Sequence, residues 1–197
     1  MDDTVNRSFI DACIDGNVKT VEHLLHKKAD PSFWNSFSLK TACMEGKITV
    51  AQLLISQKTV NPSLEHNYLL RWACMKGKMD LVNLLLSLPV ERGVDPSTQR
   101  NLPLRWACKG GYFDVINTLL SLPIERGVNP SDQDNLIFNE FLETLLKSTD
   151  NIDLKKTTLL NFINHPNFQT SDHTNEQIDE IFKVLFKDTT KKAKGSM

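Results

Sequence analysis

Apolar residues recur along the chain with helical spacing. Four times, positions +2, +5, +8 and +9 after a Gly are apolar: Val18, Val21, Leu24 and Leu25; Ile48, Ala51, Leu54 and Ile55; Met79, Val82, Leu85 and Leu86; Phe113, Ile116, Leu119 and Leu120. Each set predicts a helix with one buried stripe. A shorter helix is expected before each Gly, as in Leu69-Leu70-Arg71-Trp72-Ala73-Cys74-Met75-Lys76, and the Gly suits the left-handed turn that stops it. The Pro of Leu88-Pro89 and of Leu122-Pro123 disfavours helical backbone at the Leu before it, so the second helix should end there. An Asp/Asn-Pro-Ser triplet then reverses the chain, because Pro presets its own backbone angle while Asp, Asn and Ser bond their local backbone. The predicted unit is helix, tight turn, antiparallel helix, and a loop projecting sideways.

The unit repeats. Ala-Cys-x-x-Gly begins at Ala12, Ala42, Ala73 and Ala107, at spacings of 30, 31 and 34 residues. Asp/Asn-Pro-Ser begins at Asp30, Asn61, Asp95 and Asn129, and each of the first three lies 12 residues before the next Ala of the motif. That half is rigid. The other half accepts insertion, in Leu88-Pro89-Val90-Glu91-Arg92 and Leu122-Pro123-Ile124-Glu125-Arg126. Residues 70–97 and 104–131 are identical at 19 of 28 positions, too many for coincidence between segments of one composition. Such a period marks a stacked array in which each unit buries its apolar face only against its neighbours.

Pro103-Leu104-Arg105-Trp106-Ala107-Cys108-x-x-Gly111-x-x-Asp114-Val115, with Gly127-Val128-Asn129-Pro130-Ser131, resembles the ankyrin repeat, its Gly-Ala-Asp finger and its Thr-Pro-Leu-His-x-Ala-Ala-x-x-Gly helix start. The resemblance covers roughly 5–160. Leu102 stands for the Thr, Arg105 for the His and Cys108 for the second Ala. The loop from Gly93 to Leu104 is short and resembles an Asp-Pro-Ser-x-x-x-Asn ankyrin variant frequent in protists and their giant viruses, with Asn67, Asn101 and Asn135 as the matching Asn. Its fingers are open to two forms, a full β-hairpin or only a tight turn. The resemblance implies an all-α helix-turn-helix solenoid with short finger loops. It also implies a non-catalytic scaffold or adaptor that binds a protein partner, or alternatively a regulatory subunit or host-directed effector of a larger complex.

The terminal units should be polar outside. In the first, 5–29, Asp15, Lys19, Glu22, His23 and His26 supply that exterior. Units 30–60, 61–94 and 95–128 follow, and a fifth, 129–165, is degenerate, with Phe141 where Ala is expected and no Gly after it. Ile152, Leu154, Leu159, Leu160, Phe162 and Ile163 predict its second helix, ended by His165-Pro166-Asn167-Phe168. A capping helix over 174–187 is expected to start at Thr174, whose spacing to Gln177 suits a capping box, and to bury Ile178, Ile181, Phe182, Leu185 and Phe186. One domain, 1–187, then precedes a Lys-rich tail, 188–197, expected to be disordered.

Between these fixed motifs, certain positions change from unit to unit. The finger residues are Phe33-Trp34, Leu64-Glu65-His66, Thr98-Gln99-Arg100 and Asp132-Gln133-Asp134. The pairs before each Gly are Ile14-Asp15, Met44-Glu45, Met75-Lys76 and Lys109-Gly110. Positions facing solvent are free to be fitted to a partner, and in ankyrin proteins the matching positions line the concave binding face. Phe33, Trp34, Met44 and Met75 are the candidate apolar anchors, because aromatic and Met side chains are enriched in binding cores. Alternatively, Phe33 and Trp34 cover the neighbouring finger.

Charge and chemistry narrow the function further. Lys+Arg 23 against Asp+Glu 24 gives −1, without the basic excess expected of a nucleic-acid binder. No apolar stretch reaches membrane-spanning length and the first residues are acidic where a secretory leader is basic, so an intracellular protein is expected, cytoplasmic or nucleocytoplasmic. A monomer is expected. The four Cys share one column whose units lie about 8–10 Å apart, beyond disulfide reach, and are expected as buried reduced thiols. His23 and His26 complete no metal motif, and there is neither a phosphate loop nor a nucleophile elbow, so no catalytic residue, metal or cofactor is expected. Leu-Pro-x-Glu at Leu88 and Leu122 could open an F-box, but its repeat-locked position favours helix-end punctuation. Lys40, Arg71 and Arg105 form a cationic column open to an acidic ligand, though the matching family position favours a network between loops. Trp72 and Trp106 are expected to pack between first helices.

Overall fold

A computed structural model describes residues 3–149, 151–170 and 172–186, excluding the side chains at 3, 35, 133, 134, 172, 173 and 186. The expected tail, 188–197, lies outside the described residues. Two compact units divide the chain, one ending at Gln99 and the other starting at Arg100. The first holds three helix pairs: α1 (Asp3–Asp15) with α2 (Val18–His26), α3 (Phe33–Met44) with α4 (Ile48–Ser56), and α5 (Leu64–Met75) with α6 (Met79–Leu86). Here α1 packs on α3 and α3 on α5, while α2 packs on α4 and α4 on α6. The second unit holds α7 (Thr98–Gly110), which begins two residues before the division, α8 (Phe113–Leu120), α9 (Asp132–Lys147), α10 (Ile152–Ile163) and α11 (Asp172–Phe186). No strand occurs among the described residues. The fold is the all-α helix-turn-helix solenoid type.

The repeated motif is a hydrogen-bonded helix end. The N–H after each Gly reaches back to the carbonyl of the repeat Ala: Asn17 to Ala12 (3.0 Å), Lys47 to Ala42 (2.8 Å), Lys78 to Ala73 (2.9 Å) and Tyr112 to Ala107 (3.1 Å). This six-to-one bond needs a left-handed residue between its ends, and the Gly supply it at φ from +62° to +75°. The Ala side chains are buried, and so is the +5 column of Val21, Ala51, Val82 and Ile116. The first column is thus uniformly small, while the second accepts Ala, Val or Ile.

The finger resolves as a tight left-handed turn. Glu65, His66 and Asn67 stand at φ +54°, +55° and +59°, and Gln99, Arg100 and Asn101 at +50°, +57° and +58°. Left-handed backbone costs a non-Gly residue roughly 1–2 kcal/mol, so three in succession require compensation. Side chains provide it. Asn67 Oδ1 accepts from the Asp95 amide at 3.0 Å, and Arg71 donates to the His66 and Glu65 carbonyls at 3.0 Å each. In the second unit Asn101 Oδ1 accepts from the Asn129 amide (2.8 Å) while its Nδ2 donates to Asp132 Oδ2 (2.9 Å). Asn6 Oδ1 holds the Asp30 amide in the same way, at 3.0 Å. Ser36, left-handed and buried, occupies the equivalent place in the second repeat and makes no such bond. Past this clamp, the acid or amide of each triplet accepts from the Ser two residues on, as in Asp95 Oδ1 with Ser97 N (2.8 Å) and Oγ (2.7 Å).

The Leu-Pro insertions are helix-end punctuation. Each is a single 3-10 turn, Val90–Arg92 or Ile124–Arg126, closed by a left-handed Gly. Arg92 reaches back one repeat to the carbonyls of Ile55 (2.9 Å) and Val60 (2.8 Å). The degenerate repeat replaces the small joint with rings: Phe141 is fully buried, 4.4 Å from Phe162 and 6.0 Å from Phe138. Without a Gly to stop it, α9 runs to Lys147. Among the residues expected in its partner helix, Leu159 and Phe162 are buried, but Ile152 and Leu160 are exposed. The last helix starts at Asp172, two residues before the expected cap, so Thr174 lies buried inside its first turn. Ile178, Ile181 and Leu185 are buried as expected.

Replacing Asn101 by Ala removes both clamp bonds and leaves a left-handed Ala, so urea unfolding should show a loss of about 2–3 kcal/mol. Ser36→Asn should raise stability by roughly 1 kcal/mol by supplying the missing acceptor. A lower midpoint for Ser36→Asn would contradict this role.

Candidate partner-binding surface

The variable positions are the outer tips of this frame, and the structure sorts them. On α3, Phe33 is half-buried and its ring stacks on Trp34 with centroids 4.8 Å apart; Trp34 meets Phe37 edge-on at 6.2 Å. Trp34 is nevertheless 59% exposed, Met44 44%, Phe37 40% and Ile14 37%. Met75 and Leu64 are half-buried, while Glu45, His66, Lys76, Gln99 and Arg100 are exposed. The exposed aromatic and Met side chains thus gather on the first unit.

Other candidates are engaged within the fold. Thr98 is buried and its hydroxyl donates to the His66 carbonyl at 3.3 Å, so it does not face solvent. Glu65 pairs with Lys40, which also lies 5.8 Å from the centre of the Tyr68 ring. Asp132 accepts the Asn101 amide group. Lys109 pairs with Glu140 at 3.2 Å and sits over the Trp106 ring at 5.6 Å. The side chains of Gln133 and Asp134 lie outside the described ones. Phe37 was not among the sequence candidates, because its column reads Arg7, Phe37, Tyr68 and Leu102 and resembles an ordinary helix interior. Ile14 was legible only as half of a variable pair.

The cationic column is internal. Lys40 holds Glu65, Arg71 holds two carbonyls of its own finger, and Arg105 forms a two-pronged pair with Glu140, Nε to Oε2 at 2.9 Å and Nη2 to Oε1 at 2.8 Å. Burial is the largest single influence on the Glu140 carboxyl and raises its pKa. Hydrogen bonds and charge from Arg105 and Lys109 together outweigh it and hold the carboxyl below its ordinary range. Beside this cluster the overrun of α9 leaves a groove of about 810 Å³, lined by Lys109, Gly110, Gly111, Glu140, Lys147 and Ser148 among others. A Cβ at Gly110, where other repeats carry Asp15, Glu45 or Lys76, would fall 2.3 Å from the Tyr112 ring as it now stands. The part-buried Glu140 in this groove is engaged by both Arg105 and Lys109.

All four Cys are buried. Burial pushes the thiols of Cys13, Cys43 and Cys74 up to about 12. It also raises Cys108, with the Glu140 charge adding to it. Among the described residues no three His, Cys, Asp or Glu side chains converge as a metal site. No described helix is long and apolar enough to cross a membrane.

A family model described as ankyrin repeats, in three copies, matches residues 9–99 and again 39–134. The chain belongs to the ankyrin-repeat family. A search of curated proteins returned no match. Ankyrin repeats are generally protein–protein interaction modules and typically non-enzymatic.

In these ankyrin repeats a thiol at about 12 is ionised to only about one part in 10⁴ at pH 8. Native protein should therefore resist alkylation at all four Cys, and urea should expose them together; stoichiometric labelling of folded protein would overturn the assignment. Because the folded Glu140 carboxyl titrates below its unfolded value, its contribution is complete above about pH 4.3 and fades as pH falls through the folded value. Glu140→Gln should lower the urea midpoint at pH 7, and the gap to the parent should close in acid.

Proposed function

We propose that this chain is a non-catalytic, intracellular scaffold or adaptor that binds a protein partner through the exposed tips of its first three repeats. The observation that carries the proposal is the division of labour among side chains. Framework residues such as Ala73, Asn67 and Arg92 are spent on joints, whereas Trp34, Met44 and Ile14 extend into solvent with no framework bond to make. Isolated exposed apolar residues are ordinary, but Phe33, Trp34 and Phe37 form one contiguous aromatic group. Aromatic and Met side chains concentrate binding energy because they bury large area with few rotatable bonds.

A rigid repeat frame adds to this, since little ordering is required on binding and modest contacts can sum over several units. Near-neutral charge favours a protein over a nucleic acid as partner. Thr98, Glu65, Lys109 and Asp132 act in the frame, and of the candidates left in contact with solvent the proposal rests on the apolar tips and their charged neighbours, Trp34, Phe33, Met44, Glu45, Met75 and Lys76, with Ile14 and Phe37 added.

The test is affinity capture from native lysate with the parent chain and a Trp34→Ser, Met44→Ser variant. The variant should lose the captured partner while its urea midpoint stays within about 1 kcal/mol of the parent, as expected for surface changes. An unchanged set of captured proteins, or a collapse of stability, would refute the assignment.

A further inference from the structure

Ile14, Met44 and Met75 occupy one repeat-locked position, two residues after the Ala of α1, α3 and α5. Because α1 packs on α3 and α3 on α5, the row crosses three neighbouring helices. Packed helices lie about 8–10 Å apart. An extended peptide returns a side chain to one face every second residue, at about 7 Å and then about 14 Å, and neither spacing matches the row. An α-helix returns to one face after seven residues, about 10.5 Å along its axis. A helix laid across the row can therefore set one apolar side chain on each of the three residues.

The strip also has the width of a helix. Phe37 stands seven residues before Met44 on α3, about 10.5 Å away along the axis, against a helix diameter of about 10–12 Å. Trp34, edge-on to Phe37, extends that far wall. The near rim is charged in order: Asp15, Glu45 and Lys76 follow the row, are exposed, and enter no ion pair among the described residues. Further along the rim, Lys47 lays its stem against Gly16, and Lys78 and Asp80 follow Lys76. On the inner side of the row Lys40 is paired with Glu65, Arg71 is held by its finger carbonyls, and Arg7 and Asp11, of opposite charge, lie one turn apart on α1. With Lys47 set against Asp15 and Glu45, and Asp80 against Lys76 and Lys78, the rim is net acidic over the first two repeats and net basic over the third.

We propose, building on the partner-binding reading above, that the first unit takes an amphipathic α-helix of a protein partner. Its apolar side chains stand at i, i+7 and i+14, with Lys or Arg beside the two anchors over Asp15 and Glu45 and an acid beside the anchor over Lys76. Specificity comes from the order of charges, which fixes the direction in which the helix lies, while the apolar row supplies the contact.

A random library of displayed 20-residue peptides, selected on the full chain, tests this directly. The enriched sequences should carry apolar residues at seven-residue spacing with basic neighbours at the first two. They should lose at least tenfold in affinity on Met44→Glu, a variant first shown by circular dichroism and urea unfolding to fold as the parent does. A second selection on the Asp15→Lys, Glu45→Lys variant should enrich acidic neighbours instead. Enriched peptides that lack the seven-residue spacing or the charge order, yet still depend on Met44, overturn the helical partner and leave the binding surface standing. Peptides indifferent to Met44→Glu overturn both. A library that yields no enriched peptide overturns the helical partner.

Discussion

The amide that opens three of the fingers is held by the side-chain carbonyl of an Asn one repeat earlier, and the register of the array depends on that clasp. Asn6, Asn67 and Asn101 bond the amides of Asp30, Asp95 and Asn129. A helix pair buries its apolar stripe only against the next pair, so the register between pairs decides whether the stripes meet. The clasp sets that register where the chain reverses. It also stabilises a run of left-handed non-Gly residues that would otherwise be unfavourable. The Asp-Pro-Ser turn, the buried Pro and the Asn six residues on are therefore parts of one device.

Because joints consume the framework residues, the remaining tips are free to serve something else. Arg92, Arg105 and Lys40 act between parts of the same chain, so these cations belong to the frame and not to the free surface. The same reasoning separates the two units. In the second, Asp132, Lys109 and Glu140 are drawn into internal bonds, and the joint is filled by Phe138, Phe141 and Phe162. In the first, aromatic and Met side chains remain at the surface.

Much of the frame was legible in the sequence because each repeated motif performs a local, geometry-bound task. Ala-Cys-x-x-Gly encodes a six-to-one helix end, and apolar positions at +5 and +8 encode a stripe, so both could be read without a partner in view. The left-handed turn was not legible beyond the recurring Asn, since Glu65, His66, Gln99 and Arg100 carry no intrinsic preference for that backbone. Thr98 shares a column with Phe33, Leu64 and Asp132, and only its neighbours in space decide which member turns inward. The start of α11 was missed by two residues because Thr174 offered a capping pattern that tertiary burial overrode. Phe37 escaped notice because helix periodicity does not say which faces a neighbour covers.

The central claim is that neighbouring repeats hold one another through the Asn clasp, and native-state hydrogen exchange of single amides measures it most directly. The amides of Asp95 and Asn129 should be protected almost as strongly as helix-core amides, whereas that of Asn61, opposite Ser36, should exchange much faster. Equal exchange at Asn61, Asp95 and Asn129 would contradict the account.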